Sequence, residues 1–198
     1  MNITVYLASS MGNTPDYHEQ VVAFANWLAQ HDHCLVYGGS KTGLMGVLAD
    51  TALAQGAKVY GIMPDFMQKR EKAHQGLTHL QIVDNMDERK RLLMEEGDIL
   101  VAFPGGPGTL EEIIQAISWA RVGQLDKPCL LFNMNGYYDS LKEQFNQMVC
   151  AGFLTTFDRK KVIFVDSLQA LEEVISGYQW LSEMRDGIYG FTSVICAR

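Results

Sequence analysis

The chain is expected to fold as a doubly wound α/β domain, with one mostly parallel sheet of about seven strands covered by helices on both faces. Three observations predict it. Strand-length and helix-length segments alternate from the N-terminus to about residue 176. Most strand segments are unbroken apolar runs, as strands buried on both faces must be. Two glycine-rich turns, at 38–43 and 105–108, each follow such a run and precede helical spacing. In open parallel sheets, turns of that kind stand at the ligand-binding edge.

Residues 3–8 read as the first strand, followed by a polar turn at 9–13. Pro15 opens a helix, with Val21, Phe24, Ala25 and Leu28 on one face. Residues 34–37 read as a second strand, 38–43 as a glycine loop and 44–55 as a helix that Gly56 ends. A third strand, 58–63, stops at Pro64, and 65–78 reads as irregular and charged. Residues 80–83 form a fourth strand, 85–96 a charged helix, and 99–103 a fifth strand. The run at 128–132 is a sixth strand, Asn135-Gly136 turns into a helix ending near Gly152, and 162–165 is a seventh strand. Ser167 caps a helix through Ile175. The arrangement is a modified Rossmann-like domain over 1–176, and 177–198 reads as an irregular C-terminal tail.

At 198 residues the chain fits a single domain. A net charge of −7 argues against a basic nucleic-acid-binding surface, so no nucleic-acid partner is expected. No apolar run approaches the roughly 20 residues of a membrane span, and the N-terminus lacks the pattern of a signal peptide. No membrane partner is expected, and a cytoplasmic location is. Cys34, Cys129, Cys150 and Cys196 have no zinc or redox spacing, and Cys34 and Cys129 read as core thiols. His31 and His33 end a helix and read as surface residues rather than a metal pair. No metal and no cofactor is expected.

The stretch Phe103-Pro104-Gly105-Gly106-Pro107-Gly108-Thr109-Leu110-Glu111-Glu112 organises the chemistry. Strand, glycine loop and helix start follow one another. The helix start offers unpaired N–H groups and a positive dipole end to an anion such as a phosphate. Glu111 and Glu112 read as first-turn residues, where the dipole favours ionised carboxylates. Thr109-Leu110-Glu111-Glu112 equally reads as a capping box, with Thr109 as N-cap. The second loop, Gly38-Gly39-Ser40-Lys41-Thr42-Gly43, lacks the glycine that a nucleoside triphosphate loop needs directly before its lysine. It reads as a generic phosphate or ribose cradle, or as a structural turn. Arg89 and Lys90 share a helix stripe with Met86 and Leu93, where a cation either snorkels to water or grips a phosphate. Glu71, among Lys69, Arg70, Lys72 and His74, reads on its own as a solvated charge cluster.

Taken together, several ordered segments resemble the Lonely Guy family of nucleoside-monophosphate phosphoribohydrolases, many members of which carry a lysine decarboxylase label. The pieces are Tyr37 to Gly46, Gly61 to Pro64, Glu71 to Leu77, Met86 to Lys90, Pro104 to Glu112 and Asn135 to Asp139. The resemblance implies cleavage of a nucleoside 5′-monophosphate, a cytokinin ribotide or an AMP-like nucleotide, to free base and ribose 5-phosphate. It implies Arg89 and Glu112 as the catalytic pair and Gly105, Gly106, Gly108 and Thr109 as the phosphate loop. Glu71, Lys90, Glu111 and Ser118 match nucleotide-contacting positions, and Gly38 and Gly39 join the binding set. It also implies a homodimer. Two departures stand out: Asp87 where the family has histidine, which puts negative charge near an anionic ligand, and Ser40 where it has a third glycine. A nucleotide or molybdenum-cofactor carrier without hydrolase activity is the alternative. A pyridoxal-phosphate decarboxylase, with Lys41 or Lys90 forming the Schiff base, is a third and weaker reading.

Overall fold

Seven strands make one sheet: β1 (Asn2–Tyr6), β2 (Cys34–Tyr37), β3 (Val59–Pro64), β4 (His79–Val83), β5 (Ile99–Ala102), β6 (Cys129–Phe132) and β7 (Val162–Val165). Their order is β4-β3-β2-β1-β5-β6-β7, and every neighbouring pair is parallel. The structure, a computed structural model, describes residues 1–189; Lys69, Arg70 and residues 180–189 are described in their backbone alone.

The unbroken apolar runs follow from the two-residue period of a strand, which sends alternate side chains to opposite faces. Ile3, Val5, Leu35, Tyr37, Val101 and Phe103 enter one core with helices α1 (Pro15–Gln30), α2 (Gly43–Ala54) and α8 (Leu168–Tyr189). Tyr6, Val36, Leu100, Ala102 and Leu131 enter the other with α4 (Met86–Glu96), α5 (Pro107–Arg121) and α6 (Asp139–Cys150). The short helices α3 (Gln68–Glu71) and α7 (Thr156–Lys160) complete the α-helices of the described residues.

The chain winds outward from β1 to β4, then returns to β5 on the other side of β1. The strand order reverses there, so the connections after β1 and β5 part to opposite faces. A crevice opens at the carboxyl ends of these two strands.

Four local expectations differ from the structure. Helix α5 begins at Pro107 with Gly106 as its N-cap, so Thr109 is not the cap and the capping box does not form. Proline suits the first helical position because it lacks only an N–H that would have no helical acceptor there. Glu112 therefore falls in the second turn. The segment 65–78 is not wholly irregular, since it contains a 3₁₀ turn and α3. The last helix continues past Ile175 to Tyr189; the remainder of the expected tail, 190–198 with Cys196, lies outside the described residues. His33 is buried, not superficial, with its ring 5.0 Å from that of Trp27. No described helix is long and apolar enough to cross a membrane.

Candidate active site

Helices α4 and α5 each follow a parallel strand, so both start at the carboxyl edge of the sheet. Asn85 caps α4 by accepting from the Glu88 N–H at 2.9 Å. The buried stripe of α4 is Arg89, Leu93 and Met94; that of α5 is Thr109, Glu112, Ile113 and Ala116. In each stripe the residue nearest the helix start is polar, where the packed face emerges from the core at the crevice. Arg89 and Glu112 meet there at 3.3 Å, Nη2 to Oε1, with side chains only 8% and 10% exposed. A buried ion pair is weak evidence for stability, because desolvation offsets most of the attraction. Its retention at the mouth of a crevice points to chemistry.

The pair forms part of the wall of a cavity of about 290 Å³. The other walls come from the end of β1 and the turn after it (Tyr6 to Ser10), Gly38, Met45, Met67, Glu71, Met86 and the turn Gly106 to Thr109. Helix α5 supplies the anion cradle. The Leu110 N–H is the first to reach back along the helix, to Gly106 O at 3.1 Å, which leaves the Gly108 and Thr109 N–H groups without a helical acceptor. The Thr109 side chain fits under the loop only because Gly105 is bare: a Cβ on Gly105 would lie 2.2 Å from its Oγ1. Similarly, a Cβ on Gly38 would lie 2.4 Å from Nη2 of Arg89. Tyr137 and Tyr138 steady the loop by donating their hydroxyls to Gly105 O and Phe103 O.

Two polar atoms at the site are buried with no hydrogen-bond partner among the described residues, Nε of Arg89 and Oε2 of Glu71. Orphaned groups of this kind are costly in a finished fold, and a bound ligand would satisfy them. Burial pushes the Glu112 carboxyl above its ordinary range, and the Arg89 guanidinium opposes that shift. The charge that favours the ionised form of Glu112 is that of Arg89 and not, as expected, that of the helix dipole. The carboxylate lies a turn too deep for the helix-end effect, which fades within the first turn.

The expected site residues divide by position. Arg89, Glu112, Glu71, Glu111, Gly38, Gly106, Gly108 and Thr109 line the cavity. Gly105 lines an adjoining cleft that shares Gly106 with it. Lys90 does not line the cavity; it lies 2.8 Å from Glu111, which does, and that hydrogen bond raises its pKa. Asp87 does not face the cavity; its side chain is 95% exposed and lies 3.8 Å from Lys90. Gly39 is turned toward Met63 and Leu80. Ser118 is exposed, two turns along α5 from Glu112, on an apolar groove of about 510 Å³ between α5 and α6. That groove is larger than the cavity but lies away from the Arg89–Glu112 pair.

Tyr6 and the three methionines Met45, Met67 and Met86 were not anticipated as lining. The position of Tyr6 at the carboxyl end of a central strand is the signal that points to it. The methionines carry no such signal, since they reach the cavity from three separate elements. Among the described residues no group of three or more His, Cys, Asp or Glu side chains is placed to hold a metal ion.

Comparison with known proteins bears on this site. A family model described as "possible lysine decarboxylase" matches residues 45–175. A cytokinin riboside 5′-monophosphate phosphoribohydrolase of Rhodococcoides fascians is 37% identical over 169 residues, 85% of each chain. One of the Arabidopsis thaliana proteins of the same description is 34% identical over 177 residues, 87% of this chain and 83% of that one. Among solved structures, the molybdenum cofactor carrier protein of Chlamydomonas reinhardtii superposes with a TM-score of 0.66 at 18% identity, over 90% of this chain and 97% of its own. The molybdenum cofactor binding protein of Rippkaea orientalis gives 0.65 at 19% identity, over 89% and 95%. At such identities the two structures speak for the fold alone.

Proposed function

We propose a function on one premise: the chain belongs to the Lonely Guy family, whose family model is described as possible lysine decarboxylase. The protein hydrolyses the N-glycosidic bond of a nucleoside 5′-monophosphate, a cytokinin ribotide or an AMP-like nucleotide, to free base and ribose 5-phosphate. The observation that carries this reading is the buried Arg89–Glu112 pair facing the open amides of α5 across one small cavity.

The 5′-phosphate binds the N–H groups of Gly106, Gly108 and Thr109, with Arg89 supplying charge from its planar fork. Held there, the ribose is fixed over Glu112 before any bond breaks. Cleavage builds positive charge on the sugar ring, as in glycoside hydrolysis. The ionised Glu112 carboxylate stabilises that charge and takes a proton from the attacking water. The water oxygen bonds to C1′ as the C1′–N bond breaks, and the base takes up its proton from solvent. A carboxyl whose pKa is raised is a better proton acceptor than an ordinary one. Glu71 accepts a hydrogen bond from the nucleotide, and Lys90 with Glu111 closes the rim.

The carrier alternative treats Glu112 as a mere helix cap. Its burial and its pairing with Arg89 favour the hydrolase instead. The Schiff-base reading has little support, since Lys41 is exposed and outside the cavity lining and Lys90 is paired with Glu111. The same reading extends to a cytoplasmic homodimer with its catalytic domain in residues 1–176. Exposed Val122, Phe153 and Phe157 support an association surface.

The test is base release from AMP and other monophosphates, followed by chromatography. Glu112→Gln should lower release about 10²-fold or more while nucleotide binding survives. Unchanged turnover in that variant would reject the assignment.

A further inference from the structure

The second glycine loop contributes only Gly38 to the cavity lining. Its next three residues, Gly39, Ser40 and Lys41, are bonded to the segment that carries Glu71. Lys41 N–H donates to Lys72 O at 2.9 Å, and His74 N–H donates to Gly39 O at 2.9 Å. Ser40 pairs with Ala73 in an isolated antiparallel bridge. Ser40 itself is fully buried. Its hydroxyl donates to the main-chain oxygen of Glu71 at 2.8 Å. A serine hydroxyl has one proton, so its two remaining contacts must reach it as donors. They are the Thr42 N–H at 3.1 Å and the Thr42 hydroxyl at 2.8 Å.

We propose that Ser40 is a positioning residue for nucleotide binding: by gripping the Glu71 carbonyl it holds the Glu71 carboxylate in the cavity. The grip matters because α3 is a single turn that cannot hold itself in place. It ends at Lys72, whose φ of +51° places a non-glycine residue in the left-handed region. The loop bonds keep this segment against the sheet edge, with Oε2 of Glu71 buried and unpartnered. A glycine at position 40 offers no hydroxyl, so the grip belongs to this chain's own sequence.

This inference rests on the proposal that Glu71 contacts the nucleotide. It is tested by a cycle of Ser40→Ala, Glu71→Gln and the double variant, with KM and kcat measured for AMP hydrolysis. Ser40→Ala should raise KM roughly 2- to 10-fold, the range of one hydrogen bond, and leave kcat nearly unchanged. The double variant should match Glu71→Gln alone, because both changes remove one contact. Additive effects, or a KM that Ser40→Ala leaves unmoved while Glu71→Gln raises it, would overturn the role of Ser40. A neutral Glu71→Gln would overturn the nucleotide contact, and the role of Ser40 with it. Hydrogen exchange is the arm independent of activity: the Lys41 and His74 amides should exchange faster in Ser40→Ala. Unchanged exchange overturns the grip itself, whatever the chemistry of the cavity. Should Ser40→Ala fail to fold, Ser40→Gly takes its place in both measurements.

Discussion

Gly38 shows how little room the site leaves. A methyl group there would push the Arg89 guanidinium aside by its Nη2 end, the part that meets Glu112. Gly38→Ala should therefore lower kcat/KM by about 10²-fold, the scale of a misplaced catalytic group, while melting temperature changes little. A similar loss of both activity and melting temperature would mean that the glycine serves the fold instead. Glu112 sets a second expectation. Its active form is the ionised one and its pKa is raised, so kcat/KM should fall on the acid side through a pH above the ordinary 4.5. Arg89 lowers that pKa. Arg89→Met should move the acid limb to higher pH, in addition to its loss of rate. An unmoved limb would assign the titration to another group. His33 makes a third, concerning stability. Burial pushes its pKa from 6.5 down to about 4, helped by the N-terminus and His31. The unfolded chain thus takes up this proton first as pH falls, and stability should decline from about 6.5 toward 4. A melting-temperature series in that window should flatten in His33→Asn.

At the scale of elements, the site depends on two helix starts at one sheet edge. Asn85 holds the first turn of α4 through the Glu88 N–H. Asn85→Ala should cost about 1 kcal/mol of stability, the usual worth of an N-cap. Because Arg89 follows within that turn, kcat/KM should fall as well. A stability loss with full activity would separate the cap from the site. The elements themselves were largely legible in the sequence, because apolar runs and glycine or proline punctuation are local signals. The start of α5 is ambiguous in the sequence for a physical reason. Thr109-Leu110-Glu111-Glu112 satisfies the capping-box spacing, yet Gly106-Pro107 upstream satisfies a helix start equally well, and packing of Thr109 beneath Gly105 decides between them. Helix α3 is not legible in the sequence because one turn of charged residues has no period to read.

For the whole molecule, the parallel order β4-β3-β2-β1-β5-β6-β7 places every strand-to-helix turn of the central strands at one edge, where the cavity opens. If the chain pairs as proposed, light scattering should give the mass of two chains. A charge introduced at exposed Phe153 should return it to one. A single-chain mass in the wild type would remove the homodimer from the reading. The sequence by itself determined the layered α/β class, the two glycine turns and the order of motifs that carries the family likeness. Each of these is set by residues near one another along the chain. Only the tertiary structure decided that Arg89 and Glu112 share a buried contact and that Glu112 is harder to ionise than its helix suggested. The tertiary structure likewise decided that the Ser40 hydroxyl reaches the Glu71 carbonyl and that Ser118 stands apart. Burial and distance depend on which faces of separate elements meet, and no spacing within one segment encodes that.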